Sequence, residues 1–202
     1  MLRRLLEIPI VYTTFQKTVK TNRYETMLAN LLGDTRGLRV LDFGCGPGDL
    51  LYKFKESQYL GLDPLEGCVR TANQRLSKLG MSGEVKVGDH ESLLALRPQS
   101  FDLIVAIGVL HHISDADAES FIALASTLLV PNSGKLITLD PGRFKQQTVA
   151  SRFMVGRDRG RFVRKDSRYN ELLSKSFSKI ASKQHVGVLR MPYDFFSAVC
   201  SN

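Results

Sequence analysis

Apolar positions along the chain switch repeatedly between helical stripes and short continuous runs. Residues 23–32, RYETMLANLL, put Tyr24, Met27, Leu28, Leu31 and Leu32 on one helical face, and Gly33 supplies a stop. An apolar segment at 38–43 predicts the first strand, with a short helix expected from about Asp49 to Lys55. QYLGLD (58–63) reads as a second strand ending on an acid. Glu66 to Leu79 reads as a helix with Val69, Ala72, Leu76 and Leu79 on one side and Gly80 as its stop, and Glu84 to Gly88 as a short third strand.

FDLIVAIGVL (101–110) opens as an unbroken apolar run, the mark of a strand covered on both faces in a parallel sheet. Ser114 and Asp117 resemble a capping box, and Phe121, Leu124, Ala125 and Leu128 form the inward stripe of the helix that follows, ended by Pro131. Gly134 to Asp140 returns as strand five. Strands alternating with helices predict right-handed crossovers and a doubly wound, mostly parallel α/β sheet. After Pro141 the pattern changes: residues 143–167 carry no clear period, and a helix is expected near 168–177. Two further strands, about 180–190 and 194–200, are joined across Met191, Pro192 and Tyr193. That link is too short for a helical crossover and predicts an antiparallel pair at the sheet edge, for seven strands in all.

A length of 202 residues with 43% hydrophobic content suits one α/β domain. Its expected parts are an N-terminal helical cap (1–35), a core (36–141), and a basic insertion with a helix and the last strand pair (142–202). Cys45, Cys68 and Cys200 form no C-x-x-C pair, so reduced thiols in a cytoplasmic setting are expected rather than disulfides or a metal site. The opening MLRRLLEIPIVYTTF is interrupted by Glu7 and Pro9 and reads as no signal peptide, and no stretch is long and apolar enough for a membrane span. The net charge of +8 is concentrated: nine basic residues between Arg143 and Arg168 face only Asp158 and Asp166.

The chemistry begins at VLDFGCGPGDLL (40–51), where a strand runs into glycines at 44, 46 and 48. Gly44 allows turn angles closed to other residues, Gly46 leaves room for a ligand against the backbone, and Gly48 allows close packing of the next helix. A dinucleotide fingerprint would need its third glycine at position 49, where Asp49 stands. Asp42, two residues ahead of the first glycine, would repel a pyrophosphate and hold an ammonium group, directly or through water. S-adenosylmethionine carries an ammonium and a sulfonium.

VLDFGCGPG resembles the first motif of class I S-adenosylmethionine-dependent methyltransferases, and the likeness to their small-molecule branch extends over about residues 20–140. It implies a Rossmann-like fold and a set of cofactor contacts. The acid ending strand two, Asp63 in Asp63–Pro64, would grip the ribose hydroxyls, with helix capping as its competing role. Asp89 would meet the adenine amino group and His90 line the adenine face, with capping of the helix near Glu91 as the alternative. Ile107 and Gly108 would pass under the methionine portion. His111 and His112 follow, either as a general base for the acceptor or as loop supports. By analogy, Tyr12, Phe15 and the helix at 23–32 would cover the acceptor as a lid, or else pack in the core.

Methyl transfer from a sulfonium is an in-line displacement that needs chiefly alignment, so acceptor binding becomes the specificity problem. Arg143, Arg157, Arg159 and Arg161 are the candidates, since guanidinium forks pair with phosphate or carboxylate, although a basic loop can also be merely solvated. The reading is a small or lipid-linked, anionic acceptor. An RNA or DNA substrate is the alternative that the charge suggests. Against it, Ala106-Ile107-Gly108-Val109 lacks the Asn/Asp-Pro-Pro-aromatic signature, no cysteine follows a proline, and no separate RNA-binding module is visible. A cofactor-binding partner subunit without turnover is the third reading. The motifs leave the acceptor and the oligomeric state open.

Overall fold

The computed structural model describes residues 18–158 and 160–202. In chain order the elements are α1 (Asn22–Leu32), β1 (Arg39–Phe43), β2 (Gln58–Asp63), α2 (Glu66–Lys78), β3 (Gly83–Val87), β4 (Leu103–Ile107), α3 (Asp115–Leu128), β5 (Lys135–Pro141), α4 (Val149–Gly156), α5 (Asp166–Ser174), β6 (Lys179–His185) and β7 (Phe195–Ser201). Three short 3-10 helices intervene at Leu51–Lys53, Glu91–Ala95 and Leu110–His112. The strands form one sheet in the order β3-β2-β1-β4-β5-β7-β6. β7 runs antiparallel to both of its neighbours, and the other pairings are parallel. The doubly wound, mostly parallel sheet read from the sequence is the fold observed.

Period-two alternation sends neighbouring side chains of each strand to opposite faces. Leu41, Phe43, Ile104 and Ala106 meet α3 and α5 through Phe121, Ile122, Leu172 and Leu173 on one side. Val40, Tyr59, Val105 and Leu139 meet α1 and α2 through Leu28, Leu32, Ala72 and Leu76 on the other. Phe43 stacks on Phe121 with ring centroids 4.3 Å apart. α3 starts as its capping box predicts: the Ser114 hydroxyl accepts the Asp117 N–H at 3.2 Å and donates to the Asp117 carboxylate at 2.7 Å. The α1 end of the expected lid is anchored in the core, with Tyr24, Leu28 and Leu32 buried and Tyr24 5.9 Å from the Phe195 ring. Tyr12 and Phe15 lie outside the described residues.

Three local expectations need correction. The helix placed at Asp49 to Lys55 is only the single turn Leu51–Lys53, because the segment bends inward to bury Leu51 and Phe54 completely. Within the segment read as unpatterned, Val149–Gly156 is α4, started by Thr148, whose hydroxyl accepts the Ser151 N–H. The strand expected to reach residue 190 stops at His185, and Gly187 (φ +65) turns the chain away. There the Val188 carbonyl accepts from the Thr21 hydroxyl and the Arg190 N–H donates to the Val19 carbonyl, so the segment pairs with the approach to α1.

Candidate cofactor and acceptor site

Strand order reverses between β1 and β4, and in such sheets the crevice beyond the carboxyl ends of those strands receives ligands. Three glycines shape it on the β1 side. Gly44 has φ +72, and a Cβ there would lie 2.5 Å from Val109 Cγ2, so only glycine lets β1 turn against the loop after β4. Gly48 has φ +79, and a Cβ there would meet Leu51 Cδ1 at 2.6 Å and Ala72 Cβ at 3.2 Å. The close approach it permits is to α2. Gly46 differs: a Cβ would have no neighbour within 4 Å, which leaves its backbone face open to a ligand.

Asp63 ties this turn to β2. One carboxylate oxygen accepts the Gly46 N–H at 2.9 Å and the other accepts the Leu65 N–H at 3.0 Å, while the side chain is almost fully buried. Burial pushes its carboxyl above the ordinary range, and the two amide bonds oppose that shift. The helix-cap alternative therefore holds in a modified form: Asp63 closes a turn at Leu65, the residue at the N-cap of α2, and fixes the glycine loop as well. Each oxygen keeps a lone pair for a hydroxyl donor. Pro64 follows on the exposed side.

Asp42 lies beneath the turn, with only 2% of its surface exposed. Its Oδ2 accepts the Tyr59 O–H at 2.7 Å, and burial, opposed by that hydrogen bond and aided by the nearby Asp63 charge, pushes its carboxyl up to about 7. Asp42 thus lies beneath the turn without an open face of its own. Asp89 is exposed and caps the turn Glu91–Ala95 by accepting the N–H groups of Glu91 at 3.0 Å and Ser92 at 3.2 Å, which hold its carboxyl below the usual range. His90 Nε2 stands 3.8 Å from Asp117 Oδ1. Asp89 therefore occupies the capping alternative, whereas the His90 side chain makes no cap hydrogen bond.

On the β4 side, Ile107 ends the strand and Gly108 (φ +73) turns the chain, donating its N–H to the Leu139 carbonyl at 2.7 Å. His111 is buried, and Asp140 Oδ1 lies 2.7 Å from its Nδ1 and accepts its backbone N–H at 3.1 Å. Asp140 Oδ2 is buried without a hydrogen-bond partner among the described residues. The far nitrogen, Nε2, faces Asp158 Oδ1 at 3.4 Å. Gly160 presses on the ring so closely that a Cβ there would stand 2.1 Å from His111 Cδ2. The His112 ring is tilted against that of His111 at 3.9 Å between centroids. Asp140 stands one residue before the end of β5 much as Asp63 ends β2, so the strand-end rule that selects Asp63 would also have found Asp140. Asp158 carried no comparable signal.

The basic segment divides. Arg164 is buried and structural: its guanidinium bonds Asp115 at 2.7 Å, the Ile113 carbonyl at 2.8 Å and the Leu110 carbonyl. Arg168 bonds the other Asp115 oxygen and Glu171. Arg143, Arg157 and Arg161 remain exposed, and Arg159 lies outside the described residues.

Residues 40–132 match the family model described as a methyltransferase domain. Over that stretch, somewhat under half of its length, the chain is similar to methyltransferase domains. It is 30% identical over 112 residues to a ubiquinone biosynthesis O-methyltransferase of Azorhizobium caulinodans, covering 54% of this chain and 43% of that one. An uncharacterized methyltransferase of Anoxybacillus flavithermus is 29% identical over 140 residues, covering 68% and 62%. Among solved structures, a SAM dependent methyltransferase from Aquifex aeolicus superposes with a TM-score of 0.64 at 20% identity over 87% of each chain, a likeness of fold. The chain therefore spans less than two thirds of the length of either of the two sequence relatives. Among its described residues no helix is long and apolar enough to cross a membrane, and no group of side chains suits a metal ion.

Proposed function

We propose that this methyltransferase binds S-adenosylmethionine across the Gly44–Gly48 turn and methylates a small or lipid-linked, anionic acceptor held over the ends of β4 and β5, in a cytoplasmic setting. The observation that carries the reading is the open backbone face of Gly46, locked by its own N–H to the buried Asp63 carboxylate. The cofactor supplies a methyl group on a sulfonium. Asp63 offers lone pairs to the ribose hydroxyls, Asp89 and His90 lie on the adenine side beside Pro64, and Ile107 and Gly108 border the methionine portion. Asp42 supports the ammonium group from beneath.

Asp140 holds a proton on His111 Nδ1 and fixes the ring, which leaves Nε2 to take the proton of an attacking acceptor atom once Asp158 withdraws. His112 steadies that ring. Arg143, Arg157, Arg161 and, with them, Arg159 and Tyr12 are the proposed acceptor contacts. Release of S-adenosylhomocysteine with acidic small-molecule and lipid acceptors tests this reading. His111→Asn should lower turnover by about 10²–10⁴-fold while cofactor affinity stays unchanged. Wild-type turnover equal to that of the variant would remove His111 from the chemistry.

One observation favours a second reading, cofactor binding without turnover: Gly160 and Asp158 enclose the His111 ring. Intact cofactor binding with no turnover on any acceptor class would support it.

A further inference from the structure

The outer face of α4 and the loop after it combine exposed apolar side chains with arginines. Helical spacing turns Ser151 and Val155 inward, each about 1% exposed, and Ser151 is anchored by donating its hydroxyl to Asp194 at 2.5 Å. The same spacing turns Val149 and Phe153 outward, 83% and 54% exposed, and the anchor prevents them from rolling into the core. Phe162, in the loop that follows, is 38% exposed. Arg152 flanks it, and the Arg157 guanidinium lies over the Phe153 ring at 4.1 Å. Asp158, the acid within this stretch, faces inward to His111, Gly160 and the Tyr193 hydroxyl, so its charge does not neutralise the outer face.

We propose that this face, α4 with the loop to Phe162, docks the protein on an anionic phospholipid surface. Exposed apolar side chains flanked by two arginines match the boundary between acyl chains and negatively charged headgroups, where burial of apolar area and charge attraction act together. A solvated basic loop would need no exposed valine and phenylalanine, and a purely electrostatic nucleic-acid site would gain little from Val149. The face adjoins the acceptor side, since the Phe162 N–H donates to the His111 carbonyl. The inference deepens the proposed function by giving the acceptor a lipid source, and it can fail independently, because docking requires neither cofactor nor turnover.

Flotation of the full chain with vesicles tests it. The protein should rise with phosphatidylcholine vesicles containing phosphatidylglycerol, remain behind with pure phosphatidylcholine, and dissociate as salt is raised. Val149→Ser with Phe153→Ser should weaken binding about tenfold or more, and Arg152→Glu should do so about tenfold. Val87→Ser, at an exposed apolar position on β3 at the opposite sheet edge, should leave it unchanged. All four forms should bind S-adenosylhomocysteine equally, which establishes that they are folded. Equal binding to neutral vesicles, no binding to anionic ones, wild-type binding by the α4 variants, or tighter binding to an RNA duplex would each overturn the proposal.

Discussion

The two halves of the crevice are built differently. On the cofactor side, the groups that hold one another lie close in sequence: Gly46 and Asp63 are 17 residues apart, and Asp63 reaches Leu65 two residues on. On the acceptor side, His111 depends on Asp140, 29 residues away, Leu110 on Arg164, 54 away, and Asp158 on Tyr193, 35 away. The first half is local backbone geometry fixed by glycines and one acid. The second is a tertiary assembly of buried charges.

The largest break in this comparison should come at Arg164. Removing the buried Arg164 guanidinium leaves the Leu110 and Ile113 carbonyls unmatched, while the more exposed Asp115 keeps Arg168, and Arg164→Ala should cost about 3–5 kcal/mol in urea unfolding, on the order of 1–3 kcal/mol for each carbonyl. Cofactor affinity of the folded fraction should survive, because no Arg164 bond reaches the glycine turn. A cost below about 1 kcal/mol would show the acceptor side to be as loosely held as an ordinary surface.

The same contrast explains what could be read from the sequence. Apolar periodicity located all seven strands and the glycine turn, because each reports a requirement satisfied within a few residues. Arg164 looked like its neighbours in a basic run, since nothing local shows that it meets Asp115 across the fold. The short turn after Gly48 was over-read as a helix because periodicity does not reveal that Leu51 and Phe54 are pulled beneath the sheet. Asp42 was legible as an acid before the glycines, while its burial under Tyr59 depended on β2 pairing alongside β1.

Asp42 gives the next effect. Its carboxyl is raised to about 7 in the folded protein from an ordinary 3.8, so between those values the native state holds a proton that the unfolded state has lost. Stability should therefore fall as pH rises from about 4 to 7, by on the order of 3–4 kcal/mol. Asp42→Asn keeps an acceptor for the Tyr59 hydroxyl, should flatten that slope, and should be more stable than the wild type at pH 8. Affinity for S-adenosylmethionine should rise with pH in the wild type as Asp42 ionises, and lose that rise in the variant. Matching pH profiles in the two proteins would remove Asp42 from both roles.

A smaller effect belongs to Gly44, where the two halves touch. Gly44→Ala forces a positive φ and drives a methyl group into Val109, at an expected cost of about 1–3 kcal/mol. Val109→Ala in the same chain should recover part of that loss, a coupling visible in a double-mutant cycle. Strict additivity would mean that the contact does not join the halves.

Calorimetric titration of the wild type and Asp63→Ala with S-adenosylhomocysteine tests most directly whether the turn locked to Asp63 is the cofactor site. The expected result is clear binding by the wild type and a loss of about 1–3 kcal/mol in the variant, from unmatched ribose hydroxyls and a loosened Gly46. No binding by the wild type, or equal affinity in the two proteins, would contradict it.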